Sequence, residues 1–112
     1  MIRWLVAFAF TQVVEVPVWA AALTGRPWAH RIGLGFLASA LTHPFVWFLF
    51  PPLVKPHLGW WGYLAVAETF AVLAEAALMK KLGVSDALLW ALLANGLSAG
   101  LGFTFRQLFG WP

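Results

Sequence analysis

Four long apolar runs, separated by short segments that carry Arg, Lys, Pro and Gly, make up almost the whole chain. A run of about 18 or more apolar residues is long enough to cross the roughly 30 Å hydrocarbon core of a bilayer as a helix. Only 10% of the residues are charged, against about 25% in an ordinary globular protein. The pattern therefore predicts an all-α integral membrane protein, with no room for a soluble catalytic or nucleic-acid-binding domain.

The apolar runs predict four helices, at about residues 2–23, 32–50, 61–79 and 86–108. The segment "PPLVKPHLGWW" after the second run holds three prolines, a lysine and paired tryptophans, and it predicts an interfacial loop. Ser85 or Asp86 is the expected N-cap of the last helix. Because the loops are short, neighbouring helices should be antiparallel. We expect one membrane domain, residues 1–112, folded as an antiparallel four-transmembrane-helix bundle.

The predicted bundle has two faces that differ slightly in charge. Loops 24–31 and 80–86 form the basic-loop face, and the termini with the segment after helix two form the terminal face. The basic-loop face carries Arg26, Arg31, Lys80 and Lys81, and the terminal face carries Arg3, Lys55 and Arg106. The positive-inside rule favours cytoplasmic basic loops. We expect a bacterial or archaeal inner membrane, with the net charge of +3 facing lipid headgroups rather than nucleic acid.

Ionisable residues inside the predicted helices are the main functional signal. A charged side chain at mid-membrane costs at least about 2.5–3.5 kcal/mol on insertion scales. Such groups should therefore face one another rather than lipid, and they are functional candidates by default. We expect a proton- or cation-binding cluster of five residues: Glu15, His43, Glu68, Glu75 and Asn95.

Depths estimated from the helical rise arrange this cluster in two layers. Measured from the basic-loop face, Glu15 should lie at about 12 Å, Glu75 at about 8 Å and Asn95 at about 13 Å. His43 and Glu68 should each lie about 11 Å from the terminal face, with Ser98 near that level. Glu68 and Glu75 are two turns apart on one helix face and should connect the layers. Supporting polar groups on the same helix faces are Gln12, Thr42 and Ser98.

Two prolines lie next to these ionisable residues. Pro17 follows Glu15 by two positions, and Pro44 follows His43 directly. A proline inside a helix removes a backbone hydrogen bond and frees the carbonyl four residues earlier. Broken helices beside charged groups occur at transporter binding sites. We therefore expect helix kinks at Pro17 and Pro44 that open the backbone beside the cluster.

Tryptophans and small residues have simpler interpretations. Trp4, Trp19, Trp28, Trp60, Trp61 and Trp111 are expected to be interfacial or lipid-facing anchors. Helix four should turn Ala91, Asn95, Ser98 and Gly102 to one side, and Gly96 and Gly100 form a GxxxG pattern of the kind that allows close helix approach.

Three functions fit these residues. Proton-linked or cation transport would use the titrating set Glu15, His43, Glu68 and Glu75, with a homodimer to enlarge the pathway. Alternatively, the same four residues could bind a divalent metal, with or without intramembrane catalysis, although no HExxH motif is present. The third is a non-catalytic assembly subunit, whose polar face docks to a larger membrane partner. We expect no other cofactor, and an enzyme is the less favoured reading.

The chain also shares features with a known family. Its length, its four predicted helices and Glu15 in "VEVP" are similar to the small multidrug resistance exporters. That resemblance rests on size and one residue, and this chain adds His43, Glu68 and Glu75. It would imply a proton-coupled exporter that works as a dimer.

Overall fold

The protein is all-helical in a computed structural model that describes residues 1–110, so the anchor expected at Trp111 lies outside the described residues. The chain is 89% helical, and no strand occurs in this range. The elements are α1 (Ile2–Ala22), α2 (Trp28–Pro44), a five-residue π-helical segment (Phe45–Leu49), α3 (Phe50–Lys81) and α4 (Ala87–Phe109). Three stretches of the described chain are long and apolar enough to cross a membrane: Ile2–Ala22, Trp28–Lys81 and Ala87–Phe109. The prediction of an all-α protein with membrane-crossing helices is confirmed at this level.

The 54-residue stretch Trp28–Lys81 is folded back on itself at Gly59. A straight helix of that length would measure about 80 Å, whereas the longest dimension of the molecule is 43 Å. Gly59 has φ 69° and ψ −170°, a conformation that glycine adopts readily because it has no Cβ. After the break, the Tyr63 hydroxyl donates to the Val46 carbonyl at 2.7 Å. The ring of Phe70 lies 5.0 Å from that of Phe50.

The prolines after the second apolar run are helical, so the predicted loop there is wrong. α3 begins at Phe50 and continues regularly to Gly59 through this segment. Pro51 and Pro52 lie at the start of α3, directly after the π-helical segment, and Pro56 lies inside α3. A proline lacks the N–H that would bond back to the preceding turn, and the change from π-helical to α-helical hydrogen bonding falls at this point of the chain. The reversal is therefore set by one glycine rather than by a proline-rich loop.

The other predicted boundaries lie close to the observed ones. α2 begins at Trp28, about one turn earlier than expected, and the second part of α3, residues 60–81, takes the place of the predicted third helix. Asp86 occupies the N-cap position of α4, as predicted, although its side chain makes no capping hydrogen bond.

Contacts at the two ends show which segments share a face. On the basic-loop face, Arg26 Nη2 donates to the Leu82 carbonyl at 2.9 Å, which ties the first loop to the last. At the terminal face, the ring of Phe10 lies 5.9 Å from that of Phe105, and the ring of Trp61 lies 6.3 Å from that of Phe103. α1 contacts α2 and α4, and α3 contacts α2 and α4.

The side-chain distribution is the reverse of that in a water-soluble protein. Large apolar side chains such as Leu89 and Ile32 are exposed, whereas Glu15, Glu75 and Asn95 are buried. Soluble monomers rarely expose contiguous apolar surface on this scale, and charged groups are seldom fully buried in them. Lipid contact on the outside accounts for both observations.

An apolar core fills the half of the molecule next to the basic-loop face. It consists of Trp19, Ala22, Leu23, Ala38, Met79, Val84, Ala87, Ala91 and Ala94. Every one of these residues lies on the basic-loop side of Glu15, Ser39, Glu75 or Asn95 along its own part of the chain. Small alanines on α4 let the helices close tightly around Trp19 and Met79. This half of the interior is therefore densely filled and apolar.

Candidate functional site

Two carboxyl groups from different helices meet in the centre of the molecule. Glu15 on α1 and Glu75 on α3 are each only 2% exposed, and their carboxyl groups adjoin. Both lie on helix faces that turn inward because the opposite faces, with residues such as Val13 and Leu73, are exposed and apolar. We call Glu15 and Glu75 the carboxyl pair.

Hydroxyl groups from two helices hold Glu15. Ser39 on α2 donates to Oε1 at 2.7 Å, and Ser98 on α4 donates to Oε2 at 2.5 Å. Each carboxyl oxygen thus has its own donor. The structure differs here from the predicted layering, which grouped Ser98 with His43 and Glu68. The depth estimate took the helices as parallel to the membrane normal, and a tilt of one helix against another shifts such levels by a turn.

Glu75 is held in the same manner by a tryptophan and a threonine. Trp19 Nε1 donates to Oε1 at 3.2 Å, and Thr42 Oγ1 donates to Oε2 at 3.1 Å. Asn95 lies beside Glu75 and donates from Nδ2 to the Ala91 carbonyl at 3.0 Å. The prediction that Trp19 is an interfacial or lipid-facing anchor is wrong, because its side chain is 0% exposed and its indole N–H donates to Glu75.

All four donors to the carboxyl pair are neutral hydroxyl or indole groups. Two adjoining carboxylates repel each other strongly when both are buried. Neutral donors lessen this repulsion without cancelling the charge. The arrangement is therefore suited to take up a positive charge, either a proton between the carboxyl groups or a cation.

His43 lies apart from the carboxyl pair, in an aromatic setting. Its Nε2 is 3.4 Å from Thr11 Oγ1. Its ring centroid lies 5.3 Å from that of Phe8 and 6.2 Å from those of Trp4 and Trp47. The ring is thus oriented by a hydroxyl on α1 and by aromatic contacts.

Gln12 is directed to backbone rather than to Glu15. Its Nε2 donates to the Phe36 carbonyl on α2 at 3.3 Å, and the side chain is buried. Gln12 therefore joins α1 to α2 one turn from the carboxyl pair, as a packing partner of the two helices.

A cavity of about 500 Å³ connects the carboxyl pair with the terminal face. Glu15, Glu75, Asn95 and Ser98 line its inner end, and Arg106, Trp60 and Trp61 line its outer end. His43 and Glu68 lie between the two ends, and most of the remaining lining side chains are apolar. Glu68 is half-buried and lies two turns from Glu75 on α3, as the sequence spacing requires.

On the basic-loop side the carboxyl pair is closed off by the apolar core. Trp19 and Met79 are each 0% exposed there. A second cavity of about 220 Å³ lies beyond the core and is lined by loop residues that include Thr24, Arg26 and Ser85. The carboxyl pair can thus be reached through the cavity from the terminal face, whereas the apolar core fills the interior on the basic-loop side.

The two prolines beside the cluster behave differently. α1 runs from Ile2 to Ala22 as one α-helix with Pro17 inside it. α2 ends at Pro44, and the π-helical segment Phe45–Leu49 follows directly. Short π-helical segments occur frequently at functional sites because they locally change the direction of side chains. A π-helical segment therefore follows Pro44, and Pro17 lies within α1. The kinks expected at these two prolines stay predictions.

Within residues 1–110, no group of three or more His, Asp or Glu side chains lies close enough together to hold a metal ion. The four metal candidates are spread along the cavity: Glu15 and Glu75 at its inner end, and His43 and Glu68 nearer the terminal face.

Ser39 and Trp19 are site residues that belong neither to the predicted cluster nor to its predicted supporting polar groups. Trp19 follows Glu15 by four positions, and Ser39 precedes Thr42 by three, so both lie on the inward faces of their helices. That spacing was the available signal. Nothing in the sequence separates a tryptophan that bonds a carboxylate from one that faces lipid.

No protein-family model matches this chain, and neither curated proteins nor solved structures give a match. The fold and the site therefore define the protein by class: a small all-α membrane protein with a buried carboxyl pair at the inner end of a one-sided cavity.

Proposed function

We propose that the chain crosses the membrane four times, as an antiparallel bundle with both termini on the same side. The reversal at Gly59 and the Arg26–Leu82 bond support this arrangement, since they bring the first and last loops to one face. The excess of Arg and Lys on that face favours a cytoplasmic location for it, in a bacterial or archaeal inner membrane.

Single cysteines can test the number of crossings, because the chain contains no cysteine. We expect Thr24→Cys and Ser85→Cys to react with a membrane-impermeant maleimide from one side, and His57→Cys from the other. All three positions are exposed. If Trp28–Lys81 crossed the membrane only once, Thr24→Cys and Ser85→Cys would react from opposite sides.

We further propose that the protein transports a cation in exchange for protons. The observation that carries this proposal is the cavity of about 500 Å³ that reaches a buried carboxyl pair from one face only. A transporter needs a site that each face can reach in turn, and a site at mid-depth with one side closed is one state of such a cycle.

Competition at the carboxyl pair provides the coupling. Glu15 and Glu75 adjoin without a cationic side chain among their hydrogen-bond donors. A proton bound to the pair and a cation bound to the pair neutralise the same repulsion, so binding of one disfavours binding of the other. Release of one species on the opposite face would then require the apolar core to open.

One chain supplies every residue of this site. The donors to the carboxyl pair come from α1, α2 and α4, and the cavity is lined by the same helices together with α3. We propose that the protein works as a homo-oligomer or within a larger membrane complex, with one such cavity in each subunit.

Proton flux in liposomes tests the proposal. Liposomes with an acidic interior and a trapped pH-sensitive dye would be diluted into Na⁺, K⁺ or tetramethylammonium. We expect the wild type to release protons in exchange for at least one of these cations. Glu15→Gln and Glu75→Gln should reduce the rate to that of protein-free liposomes, because an amide cannot exchange a proton in this way.

Asp86→Asn is the matched control, since Asp86 lies at the start of α4 outside the cavity and its side chain makes no cap bond. Its rate should equal that of the wild type. A wild type no faster than protein-free liposomes with all three cations would contradict transport of such ions. So would Glu15→Gln and Glu75→Gln variants that transport normally.

A further inference from the structure

Trp19 lies between the two cavities described above. It is 0% exposed and belongs to the apolar core between the carboxyl pair and the second cavity at the basic-loop face. Its neighbours Ala22, Ala91 and Ala94 are small. Among these residues, its indole therefore fills most of the space that a passage toward the basic-loop face would need.

The same side chain donates a hydrogen bond to the carboxyl pair. Its Nε1 donates to Glu75 Oε1 at 3.2 Å, and an indole has no other polar atom. A tryptophan needed only for filling the core would be served equally well by an apolar side chain. The bond thus links Trp19, which fills the apolar core, to Glu75, which belongs to the carboxyl pair.

The backbone of α2 is shaped to admit Trp19. A Cβ at Gly35 would lie 3.1 Å from Trp19 Cβ and 3.4 Å from the Val16 carbonyl oxygen. Glycine therefore lets α2 approach α1 closely beside this one side chain. The position of Trp19 is fixed from two directions, by Gly35 against its Cβ and by Glu75 at its indole nitrogen.

We propose that Trp19 is the gate on the basic-loop side and that its bond to Glu75 couples occupancy of the carboxyl pair to opening. A cation bound at the pair competes with the indole N–H for Glu75 Oε1. Loss of that bond releases Trp19 and connects the pair with the second cavity. This role rests on the proposed transport function, in which Trp19 is a positioning residue rather than the site of proton exchange.

Thiol accessibility in the core tests the gate without requiring transport. Ala91 is 0% exposed and contributes to the apolar core. We expect Ala91→Cys in the otherwise wild-type protein to react slowly with a charged methanethiosulfonate reagent added from the basic-loop side. Adding Trp19→Phe keeps an aromatic ring in the core but removes the N–H, and it should raise that rate at least about tenfold, which corresponds to about 1.4 kcal/mol.

Trp28→Phe is the matched control, since Trp28 is 65% exposed, and it should leave the rate unchanged. Gly35→Ala is a second variant that tests the gate, because the added alanine Cβ displaces Trp19 without changing its indole. We expect it to raise the labelling rate of Ala91→Cys by less than Trp19→Phe does. Equal labelling of Ala91→Cys in the wild-type, Trp19→Phe and Gly35→Ala backgrounds would overturn the gate.

The gate and the transport proposal fail in different ways. A wild type without cation-coupled proton flux, but with faster labelling in Trp19→Phe, would reject transport of the tested cations and leave the closure by Trp19 supported. Normal coupled flux in Trp19→Phe with unchanged labelling would support transport and reject the gate.

Discussion

Removing both hydroxyl groups that hold Glu15, with Ser39→Ala and Ser98→Ala together, should lower the free energy of unfolding by about 2–6 kcal/mol. Each serine donates to a different oxygen of a carboxyl group that is 2% exposed. A buried polar atom left without its partner costs about 1–3 kcal/mol. Denaturation in detergent micelles, followed by tryptophan fluorescence, measures the change.

A matched control and a rescue make this result specific. Thr104→Ala removes an exposed hydroxyl that bonds only the Gly100 carbonyl of its own helix, and it should change stability by less than about 0.5 kcal/mol. Adding Glu15→Leu to the double variant removes the unsatisfied acceptor, and stability should recover. Proton flux should not recover. A Ser39→Ala, Ser98→Ala variant as stable as the wild type would show that these bonds do not support Glu15.

The second large effect is expected at the reversal of the chain. A Cβ at Gly62 would overlap Leu58 Cβ, so Gly62→Ala requires the backbone on either side of Gly59 to separate. Because Leu58 Cβ is attached directly to the backbone, a side-chain rotation cannot relieve the overlap. Overpacking of this kind costs about 1–3 kcal/mol. We expect Gly62→Ala to lower stability by that amount.

Gly96→Ala is the control for Gly62→Ala. Nothing lies within 4 Å of a Cβ at Gly96, and the residue is exposed on α4. Alanine favours a helix over glycine by up to about 1 kcal/mol, so Gly96→Ala should be as stable as the wild type or slightly more stable. A Gly62→Ala variant at least as stable as Gly96→Ala would show that the chain does not turn tightly at Gly59.

Much of the secondary structure followed from the sequence because lipid imposes a simple constraint. Apolar runs of this length must satisfy their backbone groups internally, and a helix does so within one segment. Helices at both ends of the chain were therefore predicted to within a residue of Ile2–Ala22 and Ala87–Phe109. The segment after Leu49 was misjudged because prolines usually interrupt a helix, yet here two of them lie at the start of α3, directly after the π-helical segment.

The contacts in the interior of the protein could be predicted from the sequence only in part. Helical periodicity indicated which face each of Glu15, Glu75 and Asn95 would occupy, and all three are buried. Periodicity within one helix does not say which residue of another helix it will meet. The bonds of Ser98 to Glu15 and of Trp19 to Glu75 depend on helix tilt and on the close approach that Gly35 allows.

The sequence by itself determined that this protein is helical, that its outside is apolar, and that the acids near the middle of its helices turn inward, because the cost of a charge in hydrocarbon leaves few alternatives. Only the tertiary structure decided which carboxyl groups adjoin, which donors hold them, and that the interior is accessible from one face. Those features arise from contacts between helices, whose energies depend on distances of a few ångströms.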